Sequence, residues 1–294
     1  MGYKHSLGSR LFDVFNYGLM LLLIIITVYP LLHVISISLS HADFIALGQV
    51  SFFPKGFNIK GYQIIFEKRL LYTSYANTIM YATVGTLLTL LLTSLMAYPL
   101  TVSKFRIKKP ITIFLAVTMF FSGGLIPTYL LMKELHLLNT FWVMVLPGCI
   151  SAYNVIIFRT FFQNIPSELR ESAYMDGAND LTVLFRIYLP LSKALLATFA
   201  LFTIVGHWNE WFSALIYLRD ENRYPLQMFL RGIIFTQQGY GSSEQATEMI
   251  QNRQINPKNI QMAAVVITMA PILCIYPFVQ KYFVKGVMVG SIKG

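Results

Sequence analysis

The sequence predicts an all-α integral membrane protein with six transmembrane helices. The chain has 294 residues, of which 55% are hydrophobic and only 12% are charged, whereas soluble domains carry roughly 25% charged residues. A helix needs about 20 apolar residues to cross the hydrocarbon core of a bilayer. Six apolar runs meet that length, over residues 17–39, 77–100, 111–132, 141–162, 189–218 and 260–283. The composition excludes an ordinary soluble enzyme and a disordered chain.

Helix-breaking residues in the sixth and third runs affect how these two runs are expected to cross the membrane. The sixth contains two prolines, which spanning helices tolerate because neighbouring groups re-satisfy the freed backbone. In the third run, Gly123, Gly124 and Pro127 predict a break near the outer end. Residues 128–138 would then form an amphipathic segment on the external surface.

The short connectors predict the orientation. Connector 101–110 carries four basic residues and no acid, whereas connector 133–139 carries one lysine, one glutamate and one histidine. Because basic residues concentrate in cytoplasmic loops, the first connector is expected inside and the second outside. Six spans then place both termini in the cytoplasm, loops 40–74 and 219–259 outside, and loop 163–188 inside.

The net charge, the lack of a phosphate-binding motif and the spacing of the histidines limit which molecules this chain is expected to bind. The net charge of +10 arises mainly from the connectors, so topology signals and contacts with membrane lipid explain it better than nucleic acid does. No G-x-x-x-x-G-K-[ST] phosphate loop is present in the sequence, so another chain would have to bind ATP if ATP drives the protein. The histidines lack metal-ligand spacing, and we expect no metal site.

The most informative segment reads IPSELRESAYMDGANDLTVLFRIYLP over residues 165–190, and we call it the 165–190 loop. Ser167 is expected to cap a helix, and Glu168 favours its first turn. Gly177 predicts a left-handed turn, and Asp180 is expected to cap a second short helix. From the residues alone, a solvated helical hairpin that merely joins two spans remains an alternative.

One face of the first helix in this loop has small side chains. By i, i+3, i+4 spacing, that face comprises Leu169, Ser172, Ala173 and Asp176. Since two of the four are small, we expect another surface to approach the helix backbone closely there.

The loop resembles the EAA loop of ABC-importer permeases, whose pattern reads EAA-x3-G-x9-I-x-LP. In this chain the pattern falls on Glu171, Ser172, Ala173, Gly177, Ile187, Leu189 and Pro190. The one departure is Ser172, which is still small. The resemblance implies the type I permease fold of ABC importers and a coupling helix that sits in a groove of a cytoplasmic ATPase. The residues it assigns to coupling are Glu171, Ser172, Ala173, Asp176, Gly177 and Ala178.

Further segments are similar to the carbohydrate-uptake branch of that family, and more narrowly to the smaller maltose-type permease. They are Ile126–Tyr129, His136–Thr140, Trp208–Glu210 and Tyr282–Gly286, and residues 237–259 resemble oligosaccharide permeases of Gram-positive bacteria. The resemblance implies a bacterial plasma-membrane subunit for oligosaccharide uptake. Its partners would be a sister permease, a dimeric ATPase that holds ATP and Mg²⁺, and an extracellular solute-binding protein. We expect no catalytic residue and no cofactor on this chain.

Polar residues in the fifth run are further candidates, because ionisable groups at membrane depth cost about 2.5–3.5 kcal/mol. They are His207, Trp208, Asn209, Glu210 and Trp211. On a continuous helix, His207, Glu210 and Trp211 share a face that could contact a sugar. The alternatives are gating, pairing with a partner subunit, an interfacial tryptophan belt, and a cap on an internal bend by Glu210.

In the fourth run Asn154 is a candidate for interhelical hydrogen bonding or for pore lining. Two other classes of protein remain as alternatives. An ion-coupled carrier or channel would explain Glu210 but leaves the EAA pattern without a role. An intramembrane enzyme would need paired aspartates, or a serine with a histidine, at membrane depth, whereas the acidic residues of this chain lie mostly in loops.

The predicted orientation can be tested by labelling single cysteines in a cysteine-free variant. Phe105→Cys should react with an impermeant thiol reagent only from the cytoplasmic side, and Gln245→Cys only from outside. Reversed labelling would contradict the orientation and the cytoplasmic position of the 165–190 loop.

Overall fold

The computed structural model describes residues 7–235 and 254–291, and within these ranges it contains helices and no β-strand. The α-helices are α1 (Leu7–Ser38), α2 (Ala42–Ala46), α3 (Lys60–Phe66), α4 (Arg69–Ala97), α5 (Lys108–Phe120), α6 (Leu125–Glu134), α7 (Ala152–Gln163), α8 (Ser167–Met175), α9 (Asp180–Val183), α10 (Leu189–Leu191), α11 (Lys193–Trp208), α12 (Phe212–Tyr217), α13 (Leu226–Phe235) and α14 (Pro257–Ser291). Shorter 3₁₀ turns are Pro99–Thr101, Trp142–Met144 and Glu221–Arg223, and Leu184–Tyr188 is π-helical.

Three helical segments of the described chain are long and apolar enough to cross a membrane without a break: Gly8–Ser38, Arg69–Thr101 and Pro257–Cys274. Two further pairs qualify only as bent spans. The α5 and α6 axes differ by 117°, and residues 180–191 meet α11 at 82°. Length and composition therefore support up to five spans among the described residues, against the six expected from the apolar runs.

The difference lies in the fourth apolar run. Instead of one helix over residues 141–162, the structure has the 3₁₀ turn at Trp142–Met144 and then α7. Pro147 and Gly148 separate them, and Gly148 has φ +85°. Twelve residues of α7 rise only about 18 Å, which is less than the roughly 30 Å of a bilayer core.

The break predicted in the third run is present. Helix α5 ends at Phe120, and α6 begins at Leu125 after Gly124, which has φ +82°. A positive φ is accessible to glycine without the steric cost that a Cβ would add. Pro127 lies in the first turn of α6, where its missing N–H leaves no helical bond unmade.

The chain divides into two compact units, one with residues 1–69 and 230–270 and the other with residues 70–229 and 271–294. Helices α13 and α14 contribute to both. Of the predicted external loop 219–259, residues 236–253 lie outside the described residues.

In the first unit, one buried amide joins the end of α1 to the start of α14. The Asn259 side chain is 1% exposed, and its Nδ2 donates to the carbonyls of Ile37 (3.0 Å), Ser38 (2.8 Å) and Ser40 (3.2 Å). A Cβ at Gly61 would collide with this amide. The amide thus supplies donors to carbonyls that the end of α1 leaves without helical partners.

In the second unit, α4 turns a face of small and hydroxyl-bearing residues inward. Its buried residues include Ser74, Thr78, Gly85, Thr89 and Thr93, which recur at the three- and four-residue spacing of one helix face. Small residues let neighbouring helix backbones approach closely in membranes. This face therefore leaves room for a side chain of a neighbouring helix to contact the α4 backbone.

A left-handed asparagine organises one end of this unit. Asn139 has φ +56°, which asparagine tolerates better than most residues. Its Oδ1 accepts from the backbone N–H groups of Arg219 (3.0 Å) and Asp220 (3.1 Å), and its own N–H donates to Tyr217 O (2.9 Å). Asn139 therefore holds the end of α12.

An aromatic core, formed by Tyr98, Phe158, Phe162, Tyr188 and Phe199, supports the 165–190 loop. The ring of Tyr188 lies edge-on to Tyr98 at 5.0 Å and to Phe162 at 5.5 Å, and Phe158 meets Phe199 at 5.0 Å. All five side chains are buried. The core joins the end of α4, helix α7, the π-helical segment and α11.

Candidate functional site

Helix α8 begins one position earlier than a Ser167 cap would place it, so the predicted cap by Ser167 is wrong, and the helix ends two residues before the predicted glycine. Pro166 occupies the N-cap position, so Ser167 is the first helical residue and makes no cap bond. At the other end Ala178 N donates to Ala173 O (2.9 Å) and Gly177 N to Tyr174 O (3.0 Å). Gly177 has φ +80°, which confirms the predicted left-handed turn. This pairing is a Schellman motif, which satisfies the last carbonyls of the helix.

The six residues that the resemblance assigns to coupling divide into two groups. Glu171, Ser172, Asp176 and Gly177 are exposed. Ala173 and Ala178 are partly buried and pack against the aromatic core of the same chain. The small side chains thus let α8 approach its own core, whereas the exposed four remain accessible to another molecule.

Sequence reasoning missed Met175, whose side chain is 88% exposed at the end of α8. It follows Ala173 by two residues, or about 200° around the helix, so it lies on the side opposite the core. Leu169 is also exposed, at 43%. The sequence contained a signal for this exposure, because an apolar residue two positions after an inward-facing alanine lies on the opposite side of the helix.

The second half of the 165–190 loop is capped one residue earlier than predicted. Asn179 Oδ1, rather than Asp180, accepts from Thr182 N (2.8 Å) and Thr182 Oγ1 (2.9 Å). Asp180 instead accepts hydrogen bonds from two tyrosines. Its Oδ1 lies 2.6 Å from the hydroxyl of Tyr174 and 3.0 Å from that of Tyr98. Burial, and then the hydrogen bond to Asp180, raise the pKa of Tyr174.

The loop then passes through the π-helical segment into α10 and turns at Ser192. Pro190 has no N–H to donate to the carbonyl of Arg186 four residues earlier, which accounts for the irregular turn preceding it. Ser192 is buried and separates α10 from α11. The last three motif residues, Ile187, Leu189 and Pro190, therefore lie at a bend rather than in a straight span.

The polar residues of the fifth run do not share one continuous helix face. Helix α11 ends at Trp208, with Asn209 as its C-cap, and α12 starts at Phe212. Asn209 Nδ2 donates to Val205 O at 3.0 Å, so its amide is used by its own helix. The i, i+4 relation of His207 and Trp211 therefore does not hold across the break.

Glu210 caps the helix that follows the break. Ser213 N donates to Glu210 Oε1 at 2.8 Å, which satisfies one of the free N–H groups at the start of α12. Among the roles considered for Glu210, the cap on an internal bend is the one seen in this structure.

The two tryptophans differ in their surroundings. Trp208 is 6% exposed, and its ring meets Tyr75 edge-on at 6.2 Å. Trp211 is 41% exposed and contacts Phe212 at 5.6 Å. Of the pair, Trp211 presents its ring outward and Trp208 is part of the packing.

His207 contacts α4 at a position that sequence reasoning missed. A Cβ added to Gly85 would collide with the His207 imidazole and would lie 2.7 Å from its Cε1. Only glycine leaves room for the ring there. A glycine in the middle of an apolar run was the signal, because it costs helix stability unless something packs against it.

Arg159 is a second missed residue. It lies in α7, where its Nη1 donates to Thr112 Oγ1 of α5 at 3.3 Å. Its Nε is buried and without a hydrogen-bond partner in the described part of the chain. On the same helix Asn154 is half-buried. The sequence signal for Arg159 was a single basic residue within the fourth apolar run.

The contact at Gly85 predicts an unequal response of two glycines. Gly85→Ala should destabilise the protein by about 1–3 kcal/mol because the added methyl overpacks the site. Gly206→Ala, on α11 with open space around its Cβ position, should not destabilise it. Thermal unfolding in detergent measures both. The double change Gly85→Ala with His207→Ala should recover most of the loss, and failure to recover it would contradict the proposed contact.

The cap at Glu210 predicts that glutamine replaces it well and alanine does not. Glu210→Gln keeps an oxygen that can accept from Ser213 N, whereas Glu210→Ala removes it and should cost about 0.5–2 kcal/mol. Thermal unfolding in detergent again gives the answer, with the exposed Glu134→Ala as a control. Equal losses for glutamine and alanine would mean that the charge matters and the cap does not.

Comparison with known proteins assigns the family. Residues 75–289 match the family described as "Binding-protein-dependent transport system inner membrane component". The polygalacturonan/rhamnogalacturonan transport system permease protein YtcP of Bacillus subtilis is 39% identical over 97% of this chain and 99% of its own length. Protein LplC of the same organism is 40% identical over 98% and 96%.

A solved structure agrees over almost the whole chain. It is the crystal structure of a bacterial ABC transporter involved in the import of the acidic polysaccharide alginate, and the matched chain is 31% identical. The superposition covers 96% of this chain and 100% of that one, with a TM-score of 0.90. The chain belongs to the family of inner membrane components of binding-protein-dependent transport systems.

Proposed function

We propose that this chain is a transmembrane subunit of an ATP-driven importer of oligosaccharides, and that its substrates are acidic ones. The observation that carries the proposal is the full-length likeness to two transport proteins whose named polysaccharides are rich in carboxylates, polygalacturonan and alginate. The chain forms half of the translocation pathway by alternating access, within a type I permease fold of six spans.

The exposed side of α8 is the docking element for a separate ATPase. Glu171, Ser172, Asp176 and Gly177 are accessible there, and Met175 supplies an exposed apolar side chain. Apolar anchors within a polar rim are typical of protein interfaces. When the ATPase moves, α8 moves with it.

The break between α11 and α12 belongs to the pathway. Trp211 presents an aromatic ring at this break, and aromatic rings supply large apolar contact area at little entropic cost. His207 and Glu210 are occupied by packing and capping, so they shape the break, while Trp211 contacts the sugar.

The complete importer contains four kinds of chain. This subunit pairs with a sister permease in the bacterial plasma membrane, with both termini in the cytoplasm. A dimeric ATPase binds ATP and Mg²⁺, and an extracellular solute-binding protein delivers the sugar, as the family description implies. This chain contributes no catalytic residue.

The function is tested with the purified complex in lipid vesicles. ATP hydrolysis is measured with the binding protein and a panel of oligogalacturonates, alginate oligosaccharides, arabino-oligosaccharides and raffinose. We expect stimulation by the two acidic families and little by the neutral sugars. Stimulation by neutral sugars alone would overturn the substrate class. Uptake that follows an ion gradient without ATP would overturn the ATP-driven mechanism in favour of a carrier.

The turn at Gly177 predicts a graded effect on coupling. The space around its Cβ position is open, so the cost of substitution comes from the backbone conformation alone. Gly177→Val should abolish sugar-stimulated ATP hydrolysis because β-branched residues resist a positive φ. Gly177→Asn should retain much of it, since asparagine adopts this conformation more readily. Equal activity of both variants would show that the turn is only a connector.

A further inference from the structure

Helix α8 has few attachments to the rest of its unit. None of its residues is buried, and Ala173 makes only partial contact with the aromatic core. Its polar attachments include the hydroxyl of Tyr174, which donates to Asp180 at 2.6 Å, and Arg170, which hydrogen-bonds to Tyr188.

Asp180 extends this attachment to the end of α4. The same Oδ1 accepts from the hydroxyl of Tyr98 at 3.0 Å, and the two tyrosine oxygens are 3.4 Å apart. Tyr98 is 3% exposed, and its N–H continues the helix by donating to Ser94 O at 3.0 Å. We call Tyr98, Tyr174 and Asp180 the clasp.

Packing does not fill the space beside the clasp. A cavity of about 400 Å³ lies there, and its walls include Val102, Phe105, Leu181 and the side chains of Tyr98 and Asp180. Close-packed interiors transmit displacement because they hold few voids. Where the cavity interrupts the packing, α8 and α4 are therefore connected through the hydrogen bonds of the clasp.

Helix α4 carries this connection onward to the fifth apolar run. Gly85 lies 13 residues before Tyr98, or about 20 Å along the helix, and it contacts the His207 imidazole. His207 is two residues before the break at Asn209. A shift of α4 along its axis would thus be felt directly at the break between α11 and α12.

We propose that the clasp links ATPase movement to the translocation pathway, with Asp180 as a positioning residue that transmits the displacement of α8 into α4. The inference rests on the proposed function. It adds a specific route, from α8 through Asp180 and α4 to His207, that the resemblance to importer permeases does not supply.

The test measures sugar imported per ATP hydrolysed by the complete complex in vesicles, with the oligosaccharide panel described above as substrate. This ratio does not depend on how much complex assembles, so a merely structural defect leaves it unchanged. Asp180→Ala should lower it at least about fivefold, the low end of coupling between sites. Asp180→Asn keeps Oδ1 as an acceptor and should fall by no more than about twofold. Tyr17→Phe, on a side chain 73% exposed, is the matched hydroxyl control and should leave the ratio unchanged.

Variants of the two tyrosines test the clasp independently of Asp180. Tyr98→Phe with Tyr174→Phe should lower the ratio as Asp180→Ala does, and combining all three changes should lower it no further, because members of one network are not additive. An unchanged ratio in the tyrosine double variant, or full additivity, would overturn the clasp even if Asp180→Ala failed to assemble. If the wild-type complex shows no sugar-stimulated hydrolysis, the proposed function fails, and the clasp fails with it.

Discussion

The structure depends on one constraint, which is that every backbone break at membrane depth must be satisfied from within the protein. The break between α11 and α12 meets it with two polar side chains. Asn209 donates to its own helix, and Glu210 caps the next. Just after the end of α12, Asn139 Oδ1 similarly accepts from the backbone N–H groups of Arg219 and Asp220. The polar residues that interrupt the apolar runs are therefore first of all the groups that make bent helices possible.

This constraint changes how Glu210 is understood. A helix cap contributes about 0.5–2 kcal/mol, whereas a charged side chain at the bilayer centre costs about 2.5–3.5 kcal/mol. The cap alone does not offset that cost. Glu210 accepts from a single backbone N–H and is half-buried, so the cap accounts for only part of what stabilises its carboxylate.

Local sequence signals predicted the features that depend on neighbours in the chain. The apolar runs, the break at Gly124 and the left-handed turn at Gly177 all follow from composition or from the conformational freedom of glycine. Features set by distant segments were missed. Gly85 is required because an imidazole from α11 lies against it, and Asp180 was assigned as a cap because nothing local indicated the two tyrosines. The fourth run was wrongly predicted as one helix because of its apolar length. Pro147 and Gly148 are visible in the sequence, and in the structure they break the run.

Helix α4 unites these observations. Its inward face combines small and hydroxyl-bearing residues with the larger Leu71 and Tyr81, and the small residues let it approach its neighbours closely. One end holds Asp180 through Tyr98, and its middle receives the His207 ring at Gly85. Three polar atoms on this face, in Ser74, Thr86 and Thr93, are buried without a hydrogen-bond partner in the described part of the chain. Other groups hold α4 as well, because the Thr78 hydroxyl accepts from Leu226 N at 2.8 Å and the Tyr81 hydroxyl donates to Arg223 O at 2.9 Å. Since α4 is anchored along its length, a displacement at Tyr98 would be shared by these contacts and by the one at Gly85.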